Sequence, residues 1–165
     1  MDLIVAVDQA WGIGKNNDLL FHVPEDMRFF RKMTSGHTVV LGRKTLESFP
    51  GGKPLPNRRH IVLTREASLD APDVEIVHSL RELLEKLETV RGEVFLIGGA
   101  SLYKQLYRHC KNAYVTKILA DGEAELFFPD LDNDPFFRLA EEGEVQTSAS
   151  GLSFRFLRYE NVKLR

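Results

Sequence analysis

The sequence predicts an α/β fold: a mostly parallel central sheet with helices on both faces and an antiparallel β-hairpin at its C-terminal edge. Three observations predict it. Short, almost bare apolar runs recur at 3–7, 38–41, 61–63 and 94–97, as strands covered on both faces require. Segments of helical periodicity alternate with these runs. The closing β-rich runs, around 136–145 and 152–160, instead include alternation (Leu152, Phe154 and Phe156 against Ser153 and Arg155), the mark of a strand with one wet face.

Taken in order, the run at 3–7 leads into a loop of turn formers: Gly12, Gly14, Asn16, Asn17 and Asp18. The chain turns apolar at Leu19, Leu20 and Phe21, and a helix begins at Pro24, since proline suits the first helical position. On a helical wheel Asp26 shares a face with Phe29, Phe30 and Met33, while Arg28, Arg31 and Lys32 project from the other side. A charge on an apolar face is costly unless it is paired, neutralised or put to use. The plainer alternative is an acid that caps first-turn amides.

The strand at 38–41 ends at Gly42, and 43–49 can make a short helix before the break at Pro50-Gly51-Gly52. Lys53 to Asn57 is a proline-stiffened loop, and Arg58-Arg59-His60 leads into the strand at 61–63. A strand at 74–77 precedes an amphipathic helix over 79–89, with Leu80, Leu83, Leu84 and Leu87 expected inward. The strand at 94–97 meets Gly98-Gly99-Ala100-Ser101 and a helix to about Arg108; a strand follows at 114–119, then an acidic loop over 121–135. A single domain over 1–165 is expected, without repeat or linker.

Composition narrows the function. With 43% hydrophobic and 28% charged residues the chain is neither disordered nor membrane-spanning, and a net charge of -2 gives no reason to expect nucleic acid. Cys110 is alone, so neither an internal disulfide nor a metal centre is expected, and a reduced cytoplasmic setting fits. Gly98-Gly99 lets backbone approach a phosphate at a strand end. Gly42-Arg43-Lys44-Thr45 and Arg65 bring cations and a hydroxyl to two further strand ends, which together point to an extended polyphosphate ligand. Arg58, after the stiffened loop, is suited to gripping a carboxylate.

With these residues in place the chain resembles dihydrofolate reductase from Leu3 to about Tyr159. The resemblance is carried by Ala6-x-Asp8 with Gly12-Ile13-Gly14-x-Asn16, by Val23-Pro24-Glu25-Asp26-Met27-x-Phe29-Phe30, and by Leu41-Gly42-Arg43-Lys44-Thr45-x-Glu47-Ser48. Pro54-Leu55-Pro56-Asn57-Arg58, Ile97-Gly98-Gly99-Ala100-x-Leu102-Tyr103, Tyr114-Val115-Thr116-x-Ile118 and Phe127-Phe128-Pro129 complete it.

The resemblance implies reduction of 7,8-dihydrofolate to tetrahydrofolate with NADPH as cofactor, in support of one-carbon metabolism, by a cytoplasmic monomer. It implies that Asp26, with Phe21 nearby, serves the chemistry. Ile4, Val5, Ala6, Met27, Phe30, Phe49, Leu55, Ile97 and Tyr103 would line the substrate pocket. Arg58 would hold the glutamate carboxylate, and Thr116 would bond Asp26 and the pteridine amino group. The cofactor would lie along Ala6, Ile13, Gly14, Asn16, Asn17, Asp18 and Leu19, then Gly42, Arg43, Lys44 and Thr45. Leu63, Thr64, Arg65 and His78 would follow, then Gly98, Gly99, Ala100, Ser101, Leu102, Tyr103 and Gln105, with the Gly98–Gly99 bond in cis.

Two departures stand out. Leu20-Phe21 occupies the usual Pro-Trp place, so an indole donor is missing; Glu125-Leu126 replaces the usual acidic-Thr pair, which bears on how the outer loop latches onto the 12–18 loop. Two other readings remain: a noncatalytic nucleotide- or folate-binding module, which needs no buried acid, and a pterin or pyrimidine reductase of similar architecture, which needs no carboxylate clamp at Arg58.

Overall fold

The computed structural model describes residues 1–15, 18–66 and 71–164. Strand β1 (Asp2–Val7) is apolar on both faces: Leu3, Val5 and Val7 pack on one side of the sheet, Ile4 and Ala6 on the other. It pairs in parallel with β6 (Val94–Leu96) and β7 (Asn112–Ile118). Beyond β6 the parallel ladder continues through β3 (Thr38–Gly42), β4 (Arg59–Leu63) and β5 (Glu75–Val77). On the other side β11 (Ser153–Asn161) runs antiparallel to β7 and takes β9 (Phe137–Glu142) and β10 (Gln146–Thr147), both antiparallel.

Helices α1 (Pro24–Thr34) and α2 (Arg43–Ser48) cover one face, where Phe29, Phe30, Met33 and Leu46 pack against Val39, Leu41, Val62 and Phe95. Helices α3 (Leu80–Leu87) and α4 (Ala100–Leu106) cover the opposite face through Leu83, Leu102 and Leu106. This is the expected α/β class, with the antiparallel edge in place.

Two expectations are corrected. Leu80 and Leu84 are 37% and 40% exposed, so α3 turns inward through Leu83 and Leu87 only. The helix spans only Leu80–Leu87, and its buried stripe is one residue wide, with Leu80 and Leu84 on its flank. The loops read at 12–18 and 121–135 also each contain a short strand: β2 (Gly12–Gly14) pairs antiparallel with β8 (Leu126–Phe127).

That ribbon shows how the outer loop is latched. The Glu125 amide donates to the Gly14 carbonyl at 2.9 Å and the Phe128 amide to Trp11 at 2.8 Å. Buried Asp8 adds three bonds, accepting from the amides of Ala10, Gly12 and Gly122 at 2.8, 2.7 and 3.0 Å. The latch is thus built from backbone and Asp8, and it accommodates Leu126. A Cβ on Gly12 would stand 2.4 Å from the Ala124 Cβ, so this close approach requires glycine.

Candidate active site

Val23 is extended and Pro24 opens α1, which places Asp26 in the first helical turn. Its carboxylate does not cap the helix. It accepts a hydrogen bond from the Thr116 hydroxyl at 2.5 Å, and Thr116 stands in β7 opposite Ala6 of β1. The acid therefore bridges helix and sheet. The residue as a whole is half-buried, but its carboxyl is enclosed, and burial holds it above the ordinary carboxylate range against the Thr116 bond. Oδ2 accepts nothing from the described residues and is the oxygen left for a ligand. Glu25, one residue earlier, behaves oppositely: the Ser148 hydroxyl at 2.7 Å and the Ala149 amide at 3.0 Å hold it below the usual range.

Asp26 opens onto a cleft shared with Ala6, Ile13, Leu19, Leu20, Phe21, Met27 and Ile118. Leu19 is 64% and Met27 46% exposed. Solvated apolar side chains around one carboxylate suit a flat ring with one polar edge. Phe30, further along α1, packs with Phe49 and Ile97 against the core cluster that includes Ile4, whose carbonyl accepts from the buried Tyr103 hydroxyl at 2.7 Å. Burial raises the Tyr103 phenol far above its usual range. Val5 turns its side chain to the opposite core, so only its backbone faces this side.

At the far end of the helix stands Arg58. Its Nη1 donates to Thr34 Oγ1 at 3.1 Å and its Nε to the Pro56 carbonyl at 2.9 Å, with the guanidinium 6.0 Å from the Phe30 ring centroid. These two bonds use two of the five guanidinium N–H donors. Burial, and secondarily the charge of Arg31, lower its pKa. Asp26 and Thr34 are separated by about 12 Å along the helix axis. One helix thus sets an acid at one end of an apolar track and a cation at the other.

The second group of residues lies at the carboxyl ends of β3, β4 and β6. The Gly98–Gly99 peptide is cis, and Gly98 adopts φ +128°. Cβ atoms on Gly98 and Gly99 would lie 3.4 and 3.2 Å from Thr45 Oγ1, a tight fit, and the positive φ at Gly98 favours glycine there. The Gly42 amide donates to Gly98 at 2.9 Å and joins the two strand ends.

The basic residues differ from one another. Arg43 is paired with Glu47 at 2.7 Å and Glu66 at 3.2 Å, whereas Lys44 and Arg65 are exposed. His78 Nδ1 donates to the Thr64 carbonyl at 2.9 Å, next to half-buried Leu63. Ala100 and Ser101 begin α4, where Gln105 donates to Ser101 at 3.1 Å; Leu102 is buried in the core and can offer only backbone. Asp18 is exposed beside Leu19, Gly14 is buried in β2, and Asn16 and Asn17 lie outside the described residues.

Sequence reasoning did not single out Leu20 or Ile118 as cleft residues, nor Thr34 as the anchor of Arg58. Ile118 could have been found by strand alternation, since it lies two residues from Thr116 on the same face. Thr34 carries no comparable local signal.

The family model described as "Dihydrofolate reductase" matches residues 1–161. A dihydrofolate reductase of Bacillus subtilis is 37% identical over 160 residues, covering 97% of this chain and 94% of that protein. One from Staphylococcus haemolyticus is 34% identical, covering 99% of this chain and 96% of its own. The solved dihydrofolate reductase from Enterococcus faecalis, complexed with NADP(H) and RAB-propyl, superposes with a TM-score of 0.87 at 32% identity, covering 98% and 96% of the two chains. By fold and by these likenesses, the chain belongs to the dihydrofolate reductase family.

Proposed function

We propose that the cleft around Asp26 binds the pteridine of 7,8-dihydrofolate, and that the strand ends after β3, β4 and β6 bind NADPH. The observation that carries this reading is the Asp26–Thr116 contact: an enclosed, partly satisfied carboxylate at the mouth of an apolar cleft. Asp26 Oδ2 is free to pair with the amide and amino edge of the pteridine, and Thr116 adds the second partner to the same oxygen pair. Ala6, Met27, Phe30, Phe49, Leu55 and Ile97 wall the ring and exclude water, and Arg58 receives the glutamate carboxylate.

The residues at the strand ends fit a dinucleotide phosphate. Gly98 and Gly99 leave backbone exposed beside the Thr45 hydroxyl, and Lys44 and Arg65 supply solvent-facing cations. Ala6, Ile13, Gly14, Asp18 and Leu19 border the cleft end of that track. When bound, NADPH supplies the hydride. The protein's part is to hold the ring in place, keep water out and promote a proton at the ring nitrogen beside the reduced carbon. Burial keeps the Asp26 carboxyl able to hold a proton at higher pH than an exposed acid would, which suits it to that step.

A noncatalytic module would have no use for an enclosed acid. A reductase of tail-less pterins would have no use for a guanidinium at the end of the track that gives only two of its five donors to the described residues. We read the protein as a cytoplasmic monomer, engaging neither nucleic acid nor membrane. Cys110 is buried as a free thiol, and no helix among the described residues is long and apolar enough to cross a membrane. Loss of NADPH absorbance on adding dihydrofolate tests the reading. Consumption that needs both reactants supports it; consumption without dihydrofolate, or none at all, contradicts it.

A further inference from the structure

His60 stands in β4 and is 1% exposed. Both of its ring nitrogens reach back into the loop that precedes the strand. Nδ1 lies 3.0 Å from the Arg58 carbonyl oxygen and Nε2 lies 3.0 Å from the Leu55 amide nitrogen. A carbonyl only accepts and an amide N–H only donates. The ring is therefore neutral, with its proton on Nδ1. Phe49 meets it edge-on, with ring centroids 6.4 Å apart. Because residues 54 and 56 are prolines, Leu55 carries the only amide N–H between Lys53 and Asn57, and that N–H is given to His60.

We propose that His60 is a positioning residue for the carboxylate-bearing end of the substrate. Its neutral imidazole sets the height of Leu55 and the path of Arg58, and so governs binding of pterins with a glutamyl tail but not of tail-less pterins. The proposal rests on the reading that Arg58 grips the tail carboxylate.

A second proton would place an N–H on Nε2 against the Leu55 N–H, two donors facing each other. The charged group that faces the ring is the Arg58 guanidinium; Phe49 and Val39, its neighbour in β3, contribute no charge. Burial lowers the imidazole's pKa, the bond to the Arg58 carbonyl opposes that shift and the Arg58 charge adds to it. Tail binding should therefore weaken only as pH falls below the imidazole's ordinary range.

The test compares dihydrofolate with 6-methyl-7,8-dihydropterin, which has no tail, in the parent, His60→Gln, His60→Asn and Arg58→Leu. Gln carries its amide at the position of Nε2 and can still accept from Leu55, but leaves no donor at the position of Nδ1; Asn carries its amide at the position of Nδ1 and can still donate to the Arg58 carbonyl, but falls short of Leu55. Each His60 variant should raise KM for dihydrofolate about fivefold, the weight of one hydrogen bond, with kcat near the parent's and KM for the tail-less pterin unchanged. In the parent alone, which needs no variant to fold, the ratio of the KM for dihydrofolate to that for the tail-less pterin should stay level at neutral pH and rise as pH falls below about 6.5, the imidazole's ordinary value.

Equal KM increases for both substrates, or a ratio flat with pH, would overturn the proposal. If Arg58→Leu weakens only dihydrofolate while the His60 variants do not, the clamp stands and His60 has no part in it. If Arg58→Leu leaves KM for dihydrofolate unchanged, the clamp reading itself fails and takes this proposal with it.

Discussion

Thr116→Val removes a single hydroxyl while keeping shape, and it isolates what holds Asp26. Thr116 is 1% exposed, and its hydroxyl is the donor that Asp26 has among the described residues, at 2.5 Å. A hydrogen bond to a charged group contributes about 1.5–3 kcal/mol. The sign of the pH dependence follows from proton counting. Burial already raises the folded-state pKa of Asp26, and the Thr116 bond holds it back. Without that bond the pKa rises further. Over the interval between the unfolded and folded values, the native state binds protons that the unfolded chain does not, so stability falls as pH rises.

The variant should thus be less stable than the parent by about 1.5–3 kcal/mol at neutral pH. The gap should narrow as pH falls through the raised folded values, below which Asp26 is protonated in both native proteins. Urea unfolding reads this as a midpoint lowered by roughly 1 M at neutral pH with an unchanged slope. The limb of the pH–turnover profile governed by Asp26 should also move to higher pH. A stability gap independent of pH, together with an unmoved kinetic limb, would refute the assignment of Thr116 as the partner that tunes the acid.

Cofactor preference should depend unequally on the basic residues. Arg65→Gln with Lys44→Gln should weaken NADPH relative to NADH by about tenfold or more, the loss of a charge-assisted phosphate contact; Arg43→Gln should do less, since Arg43 is already paired with Glu47 and Glu66. Titration of the two cofactors into each variant at low salt decides it. Phe21→Trp introduces an indole donor beside Asp26 and Leu20 in the cleft; it should change dihydrofolate affinity or hydride transfer while leaving the urea midpoint near the parent's, as steady-state kinetics and unfolding will show. Asp26→Asn should raise the unfolding midpoint at neutral pH, because an enclosed carboxylate gives way to a neutral amide, and the gain should shrink as pH falls from the raised folded value to the ordinary carboxylate value.

The strands and helices were legible because their signals are local. Val39, Val40 and Leu41 are fully buried, as a bare apolar run implies, and Pro24 marks the start of α1. What escaped was non-local or shaped by neighbours. The β2–β8 ribbon joins Gly12 to Phe127, and glycine-rich backbone has no side-chain alternation to announce a strand. Leu80 and Leu84 share the helical period of Leu83 and Leu87, but periodicity cannot tell which stripe the sheet will cover.

The candidate site divides in the same way. Asp26 was conspicuous because a carboxylate interrupts an apolar face, whereas its partner Thr116 is 90 residues away and entered only through family resemblance. Arg43 reads from sequence as a free cation at a strand end, and only the fold brings Glu66 beside it. His60 reads as a residue leading into a strand. Its role depends on two acceptor and donor positions that appear once the loop folds back over it.

On the proposed reading, Asp26 is an enclosed acid that promotes protonation of the bound pteridine. The turnover of dihydrofolate by Asp26→Asn, measured from about pH 5 to pH 8, tests it most directly. The variant should fold and bind NADPH, since the proposed cofactor track lies at the ends of β3, β4 and β6. Turnover at neutral pH should fall by about 10²-fold or more, and part of it should return as pH drops and solvent protonates the substrate. Near-parental turnover at neutral pH would contradict the account.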